Sequence, residues 1–183
     1  MKKQTVSILS IRQMTLAALM TAVLCIVAPF SLPLPFNPVP ISFATFILYL
    51  DAYVLGPRLG TISCILYLLL GFAGLPVFSG FSGGIGRLLG PTGGYMIGYI
   101  FLIFVSGFAI EMSDGKKLYA AFGFIIGTAI TYAFGTAWLA AQMDLTFMQG
   151  LAIGVFPYLP GDAVKIIASL MIGPILKSRL KHI

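Results

Sequence analysis

Six apolar segments, each near the length needed to cross a bilayer, dominate this 183-residue chain. A transmembrane helix needs about 20 apolar residues, so the segments and their connectors use almost the whole sequence. Charged residues make up only 9%, whereas about 25% is usual for a soluble domain. The hydrophobic share is 59% and the mean hydropathy is +1.03. The sequence therefore predicts an all-α integral membrane protein with six transmembrane helices, forming one domain over residues 1–183.

Apolar runs bounded by proline, glycine or charged residues define the predicted spans. They cover about residues 12–28, 41–56, 59–72, 95–111, 118–141 and 161–176. We expect the first span to remain uncleaved, because Arg12 and Gln13 interrupt the apolar run that a signal peptide would need. Cys25 and Cys64 fall inside spans and are expected to be packing residues rather than a disulfide.

Basic residues indicate the orientation, because Lys and Arg are enriched on the cytoplasmic side of membrane proteins. With both termini cytoplasmic, nine of the eleven Lys and Arg residues fall on that side. These nine are Lys2, Lys3, Arg12, Arg58, Lys116, Lys117, Lys177, Arg179 and Lys181. The other two, Arg87 and Lys165, are predicted at the outer face.

The predicted outer connectors are long and rich in proline and glycine, whereas the inner turns are short. They include Pro29–Pro40, expected to cover the membrane face as a lid, and Leu75–Gly94, which contains Arg87. Long ordered connectors commonly carry function. Since Arg87 and Lys165 lie in or beside these connectors, we predict a ligand site near the outer face.

Asp162 and Lys165 are predicted on one face of a helix that begins near Pro160, because they are three residues apart. Two interpretations are open, and they can coexist. In the first, the two side chains form a local ion pair that anchors the helix end at the membrane interface. In the second, Asp162 accepts N–H groups of a ligand and Lys165 meets an anion, as is common for charges within membranes.

Arg87 lies in a glycine-rich segment, and its planar donor group suits a carboxylate. The alternative is an interfacial arginine that reaches the lipid head groups. The surrounding glycines do not predict a nucleotide site, because no strand precedes them and the sequence has no G-x-x-x-x-G-K-[ST] motif.

Three other titratable side chains are expected to have structural roles. Asp51, about one turn inside span 2, is expected to pair with Arg58 or another inner base. Asp144 is expected to face outer solvent, and His182 is a tail residue without metal partners.

Aromatic residues near the outer connectors are candidates for the wall of an apolar pocket: Phe36, Phe43, Phe78, Phe81, Tyr95 and Tyr158.

Ala18-Leu-Met-Thr-Ala22 is a small-xxx-small pattern on span 1, which allows another helix to approach closely. Such a pattern serves internal packing as readily as contact with a partner protein.

Five motifs in this sequence resemble signatures of the BioY family. They are Pro38–Phe43, Leu55–Gly60, Gly74–Phe78, Gly90–Tyr95 and Pro157–Lys165, and the resemblance runs from Ala18 to about Pro174. It implies a six-helix, biotin-binding S component of an energy-coupling factor (ECF) transporter in a bacterial plasma membrane. It also implies partners on separate chains: a transmembrane coupling subunit, docked through Ala18 and Ala22, and two cytoplasmic ATPases.

The resemblance implies no cofactor and no metal, with biotin as the transported ligand. Its site residues would be Arg87, Asp162, Lys165, Tyr95, Ser42, Phe43 and Tyr158. Biotin has an apolar ring and chain, a ureido group with N–H donors, and a carboxylate, which suit an apolar pocket with a few polar groups. Arg87 or Lys165 could take the carboxylate, and Asp162 the ureido N–H groups, with the orientation left open.

Two other classes of function fit the sequence less well. A standalone ion-coupled secondary transporter would need ion ligands near the bilayer midplane, for which Asp51 is the candidate. An intramembrane enzyme is not expected, because the sequence offers no nucleophile–base pair and no metal cluster.

Overall fold

The computed structural model describes residues 10–33, 39–113 and 115–181. Within these ranges the chain forms seven helices and one short β-hairpin. In chain order they are α1 (Ile11–Val27), β1 (Ser31–Leu32), β2 (Ile41–Ser42), α2 (Ala44–Phe72), α3 (Ile85–Leu88), α4 (Gly93–Met112), α5 (Lys117–Gln142), α6 (Phe147–Gly154) and α7 (Leu159–Lys181). Lys2, Lys3, Phe36 and His182, to which the sequence analysis gave roles, lie outside the described residues.

Four helices, α2, α4, α5 and α7, are long and apolar enough to cross a membrane, and α1 is a shorter apolar helix. Their outward faces carry large apolar side chains, including Phe101, Phe104, Phe122 and Ile167, all at least two-fifths exposed. Apolar surface on this scale is stable in a bilayer rather than in water. The predicted class, a helical multi-pass membrane protein, agrees with this architecture.

Helix α2 contains both the second and the third predicted segments. Gly56 interrupts it with φ 71° and ψ −170°, and Pro57 follows. Glycine adopts positive φ without steric cost, and proline at the start of the new helical segment needs no hydrogen bond from its nitrogen. The break therefore divides α2 into two helical segments, 44–55 and 57–72.

The prediction that the second span begins near residue 41 is wrong. Ile41 and Ser42 form strand β2, which pairs antiparallel with β1, placing Ser31 opposite Ser42 and Leu32 opposite Ile41. The helix begins at Ala44, whose N–H donates to Ser42 Oγ at 3.0 Å. This hydrogen bond provides the backbone nitrogen with a partner before helical bonding starts.

Helices α3 and α6 lie inside connectors and were not predicted. Helix α6 begins with a capping box, in which the Thr146 hydroxyl accepts from the Gln149 N–H and the Gln149 side chain accepts from the Thr146 N–H. This Thr-x-x-Gln signal is visible in the sequence. Helix α3 is a single turn that begins after Gly84, at φ 89°, and it carries Arg87.

Among the described residues, Asp51 does not make the expected pairing with Arg58 or another inner base. Asp51 is fully buried, and its Oδ2 accepts a hydrogen bond from Ser63 Oγ at 2.9 Å. Ser63 Oγ lies 3.0 Å from Thr21 Oγ1 of α1. The α2 break turns the chain back on itself, so Asp51 faces the next helical segment and α1, whereas Arg58 is exposed. Asp51 therefore helps to join α1 to both segments of α2.

Two apolar clusters form the interior. The larger one centres on α2 and includes Leu48, Tyr49 and Tyr53, with Leu102 and Phe124 packed against them from α4 and α5. The smaller one consists of Val39, Tyr95, Leu139 and Tyr158. It brings α4 and α5 together with the segment before α2 and the turn before α7, and so forms one wall of a cavity.

Candidate functional site

A cavity of about 60 Å³ lies among α2, α4, α5 and α7, where three connectors meet. Its lining consists of Val39, Pro40, Ser42, Thr45, Ser79, Arg87, Thr92, Tyr95, Met96, Tyr99, Thr131, Tyr132, Gly154, Tyr158, Asp162 and Lys165. Aromatic rings and a few polar groups thus face one partly open space.

Asp162 and Lys165 lie in the first two turns of α7 and form an ion pair, with Lys165 Nζ 2.7 Å from Asp162 Oδ1. Lys165 Nζ also donates to the Ser42 carbonyl at 2.7 Å and to Thr45 Oγ1 at 3.2 Å. A lysine ammonium has three N–H donors, so these three acceptors use all of them. The predicted ion pair is present, and it lies in the cavity wall.

The second carboxylate oxygen of Asp162 has a partner of its own. The Tyr132 hydroxyl, from the middle of α5, donates to Asp162 Oδ2. Only 6% of Asp162 is exposed, so both oxygens are held in fixed directions by Tyr132 and Lys165. A carboxylate can accept about four hydrogen bonds, and acceptor positions on Asp162 therefore remain for a ligand.

Arg87 reaches the cavity from α3. Its Nε is buried and has no hydrogen-bond partner among the described residues, and the same is true of Thr92 Oγ1. The connector carrying both is fixed to α5, because Trp138 Nε1 donates to the Gly90 carbonyl at 2.9 Å. Buried donors normally have partners, so these two atoms mark a place where a ligand acceptor would fit.

Three tyrosines shape the cavity wall. Tyr95 and Tyr99 are one helical turn apart on α4, and a side chain at Gly135 or Gly154 would overlap the Tyr95 ring or its hydroxyl. The Tyr158 hydroxyl donates to the Val39 carbonyl. Burial raises the pKa of Tyr158 to about 12, so this donor keeps its proton at neutral pH. Tyr158 and Lys165 together attach the segment Val39–Ser42 to α7 and the turn before it.

Six of the residues proposed from the sequence line the cavity together: Ser42, Arg87, Tyr95, Tyr158, Asp162 and Lys165. Phe43 is absent from the lining and is 39% exposed. Phe78 is also outside the lining: it is fully buried against Tyr67, with ring centroids 5.5 Å apart. Phe81 is 61% exposed, so neither Phe78 nor Phe81 forms the predicted pocket wall.

Sequence reasoning missed Thr45, Thr92, Tyr99, Thr131 and Tyr132, all of which line the cavity. The four-residue spacing of Tyr95 and Tyr99 places both on one helix face, and this signal was available. Tyr132 had no comparable signal, because its partner Asp162 is 30 residues away and is brought near by the packing of α5 and α7.

Several residues singled out from the sequence lie away from the cavity. Ala18 and Ala22 are exposed on α1, with buried Thr21 on the other face, and Asp144 is exposed. Cys25 and Cys64 are free thiols. Within the described ranges, no group of three or more His, Cys, Asp or Glu side chains could hold a metal ion.

The fold and the cavity define a class: a multi-pass helical membrane protein with a partly polar cavity at one end. The model of the BioY family matches residues 1–182. The chain belongs to the BioY family, as its motifs predicted.

Named relatives and a solved structure extend this comparison. The chain is 37% identical to the biotin transporter BioY of Thermotoga maritima, over 91% of this chain and 96% of the relative. It is 35% identical to the biotin transporter BioY of Rhizobium etli, over 90% of this chain and 92% of the relative. A crystal structure of the S component for biotin from an ECF-type ABC transporter matches with a TM-score of 0.85 and 30% identity, covering 92% of each chain. These relatives are transporters, in agreement with the expectation that this chain is not an enzyme.

Proposed function

We propose that this chain is the biotin-binding membrane subunit of an ECF transporter, with the cavity as its binding site. The observation that carries the proposal is the combination, in one cavity, of a fixed carboxylate, aromatic walls and an arginine donor that has no partner among the described residues. Biotin offers a complementary group to each: a carboxylate, ureido N–H donors and an apolar bicyclic ring. The names of the BioY relatives and of the matching structure support the same ligand.

The hydrogen bonds favour one orientation of biotin. The three N–H donors of Lys165 already have acceptors, whereas Arg87 Nε has none among the described residues. The biotin carboxylate therefore binds Arg87, and the ureido N–H groups donate to Asp162. Lys165 balances the charge of Asp162, because an unpaired carboxylate buried in a membrane would be costly. It also donates a hydrogen bond to the Ser42 carbonyl.

We propose that the protein crosses the membrane six times, with both termini in the cytoplasm. The six helical segments that support this are α1, the two parts of α2, α4, α5 and α7. Arg12 near the start of α1 donates to the Leu180 carbonyl near the end of α7, so both ends lie at one face. That face collects most of the basic residues, as the positive-inside rule requires, and the cavity lies toward the outer face.

We propose that a transmembrane coupling subunit and two cytoplasmic ATPases, on separate chains, complete the transporter in the plasma membrane. Ala18 and Ala22 present small side chains on an exposed face of α1. A helix of the coupling subunit could approach this face closely. The chain acts as a single domain that binds biotin without any cofactor.

Calorimetric titration of the purified protein in detergent tests the ligand. We expect saturable, tight binding of biotin, and a loss of at least about tenfold in affinity for Asp162→Asn and for Lys165→Ala, because each removes charged hydrogen bonds. Lys117→Ala, at an exposed position at the start of α5, is the matched control and should bind like wild type. A flat wild-type titration would refute the ligand assignment, and equal losses in all three variants would refute the site.

A further inference from the structure

Tyr132 is the cavity residue whose contact is hardest to explain by packing alone. It lies in α5, is partly buried, and places its hydroxyl against Asp162 Oδ2 of α7. Nearby hydroxyls on the same helix, those of Thr128 and Thr131, bond the backbone carbonyl four residues earlier. Their contacts with other helices are to neutral groups, the Tyr49 hydroxyl and the Gly98 carbonyl. Tyr132 differs because its donor is directed at a carboxylate in the cavity wall.

The orientation of the Asp162 carboxylate depends on this contact. Lys165 holds Oδ1 at 2.7 Å and by itself leaves the group free to rotate about its terminal torsion, which has broad minima. Among the described residues, the Tyr132 hydroxyl is the side-chain donor to Oδ2, so without it no such contact fixes the direction of that oxygen. Tyr132 holds Oδ2 away from Lys165, so that the remaining acceptor positions stay directed toward the cavity.

We infer that Tyr132 is a positioning residue that sets the selectivity of the site for ligands with paired N–H donors. This inference rests on the proposed function, because it concerns how Asp162 receives the ureido group. Tyr132 acts through Asp162 and does not itself contact the ureido nitrogens. Removing its hydroxyl leaves a binding site in which the orientation of the Asp162 carboxylate is no longer fixed.

The test compares Tyr132→Phe, which removes only the hydroxyl, with Tyr119→Phe on an exposed part of the same helix. Binding is measured by competition with radiolabelled biotin in detergent. The competitors are biotin, biotin methyl ester, and analogues methylated on either ureido nitrogen. We expect Tyr132→Phe to weaken biotin binding at least about tenfold, as for loss of a hydrogen bond to a charged group, and Tyr119→Phe to change it less than about twofold.

Selectivity separates positioning from a structural role. In Tyr132→Phe the preference for biotin over the N-methylated analogues should fall at least about threefold. A carboxylate whose orientation is not fixed distinguishes a ureido N–H group from a methylated nitrogen less well. The preference for biotin over its methyl ester should not change, since the carboxylate binds Arg87. Adding Tyr132→Phe to Asp162→Asn should cost less than about twofold more, because coupled residues are not additive.

Each remaining outcome decides against the inference. If Tyr132→Phe binds biotin like wild type, or weakens biotin and all analogues equally, Tyr132 is a structural residue. If its effect is undiminished in the Asp162→Asn background, it does not act through Asp162. If the wild-type protein does not bind biotin, the proposed function is wrong and the inference fails with it. If the wild-type protein binds biotin but Tyr132→Phe behaves as described above, only the inference is wrong.

Discussion

Single atoms with and without partners define what the cavity can bind. Lys165 has an acceptor for each of its three donors, whereas Arg87 Nε is buried without one among the described residues. The sequence could not distinguish these two cations, because both are predicted at the outer face, within or beside connectors rich in proline and glycine. Their difference arises only when the segment near Ser42 folds against α7.

Replacing Arg87 tests which cation receives the ligand carboxylate. We expect Arg87→Ala to weaken biotin binding at least about tenfold, because it removes a charged, buried hydrogen bond. The variant should also lose most of the preference for biotin over biotin methyl ester, measured by competition binding. Arg58→Ala, at an exposed position in α2, should keep both the affinity and the preference. An unchanged ester preference in Arg87→Ala would place the carboxylate elsewhere.

Gly154 tests how tightly the cavity wall is packed. A methyl group at this position would overlap the Tyr95 hydroxyl, and the Tyr95 ring cannot retreat because it lies against Gly135. Overpacking of this kind costs about 1–3 kcal/mol, so Gly154→Ala should reduce biotin affinity on the order of tenfold. A methyl group added at Gly161 would have no atom of the described residues within 4 Å, so Gly161→Ala should bind biotin normally. Calorimetry of both variants gives the comparison, and normal binding by Gly154→Ala would show that the wall is pliable.

At the scale of elements, the helices were more predictable than the connectors. Apolar length located every long helix, and Gly56-Pro57 marked the break in α2. The hairpin, α3 and α6 were missed, since their few residues carry weak local signals and their conformations depend on neighbouring elements. Part of the site was likewise unpredictable, because Thr45 and Tyr132 come from two different helices that meet only in the folded protein.

The segment Val39–Ser42 covers part of the cavity and is attached at its two ends, by Tyr158 to Val39 and by Lys165 to Ser42. Tyr158→Phe removes the first attachment without removing the ring. We expect biotin to dissociate several-fold faster, with a smaller change in association rate, because interface changes act mainly on dissociation. Stopped-flow or filter measurements of dissociation would show this against Tyr119→Phe. An unchanged dissociation rate would mean that this segment does not retain the ligand.

At the scale of the whole molecule, the two ends of the helical assembly differ in chemistry. One end joins the start of α1 to the end of α7 through Arg12 and Leu180. The other carries the cavity, the hairpin, Arg87 of α3 and Lys165 of α7. Cations are favoured on the cytoplasmic side; in the topology that we propose, the ligand accounts for the two cations at the cavity end.

Labelling with a membrane-impermeant maleimide tests this sidedness in intact cells. Cys25 and Cys64 would first be changed to Ala, and then Gln142→Cys or Ser178→Cys introduced, both at exposed positions. The proposed topology predicts that the cysteine at 142 is labelled in intact cells and that the one at 178 is labelled only after permeabilisation. The reverse pattern would place the cavity on the cytoplasmic side.

A structure of the protein crystallised with biotin is the most direct test of the proposed binding site. We expect biotin in the cavity among α2, α4, α5 and α7, with its carboxylate on Arg87 and its ureido N–H groups on Asp162. Lys165 should keep its contacts with Asp162 and the Ser42 carbonyl. Biotin bound outside this cavity, or bound with its carboxylate on Lys165 and its ureido group away from Asp162, would contradict the proposal.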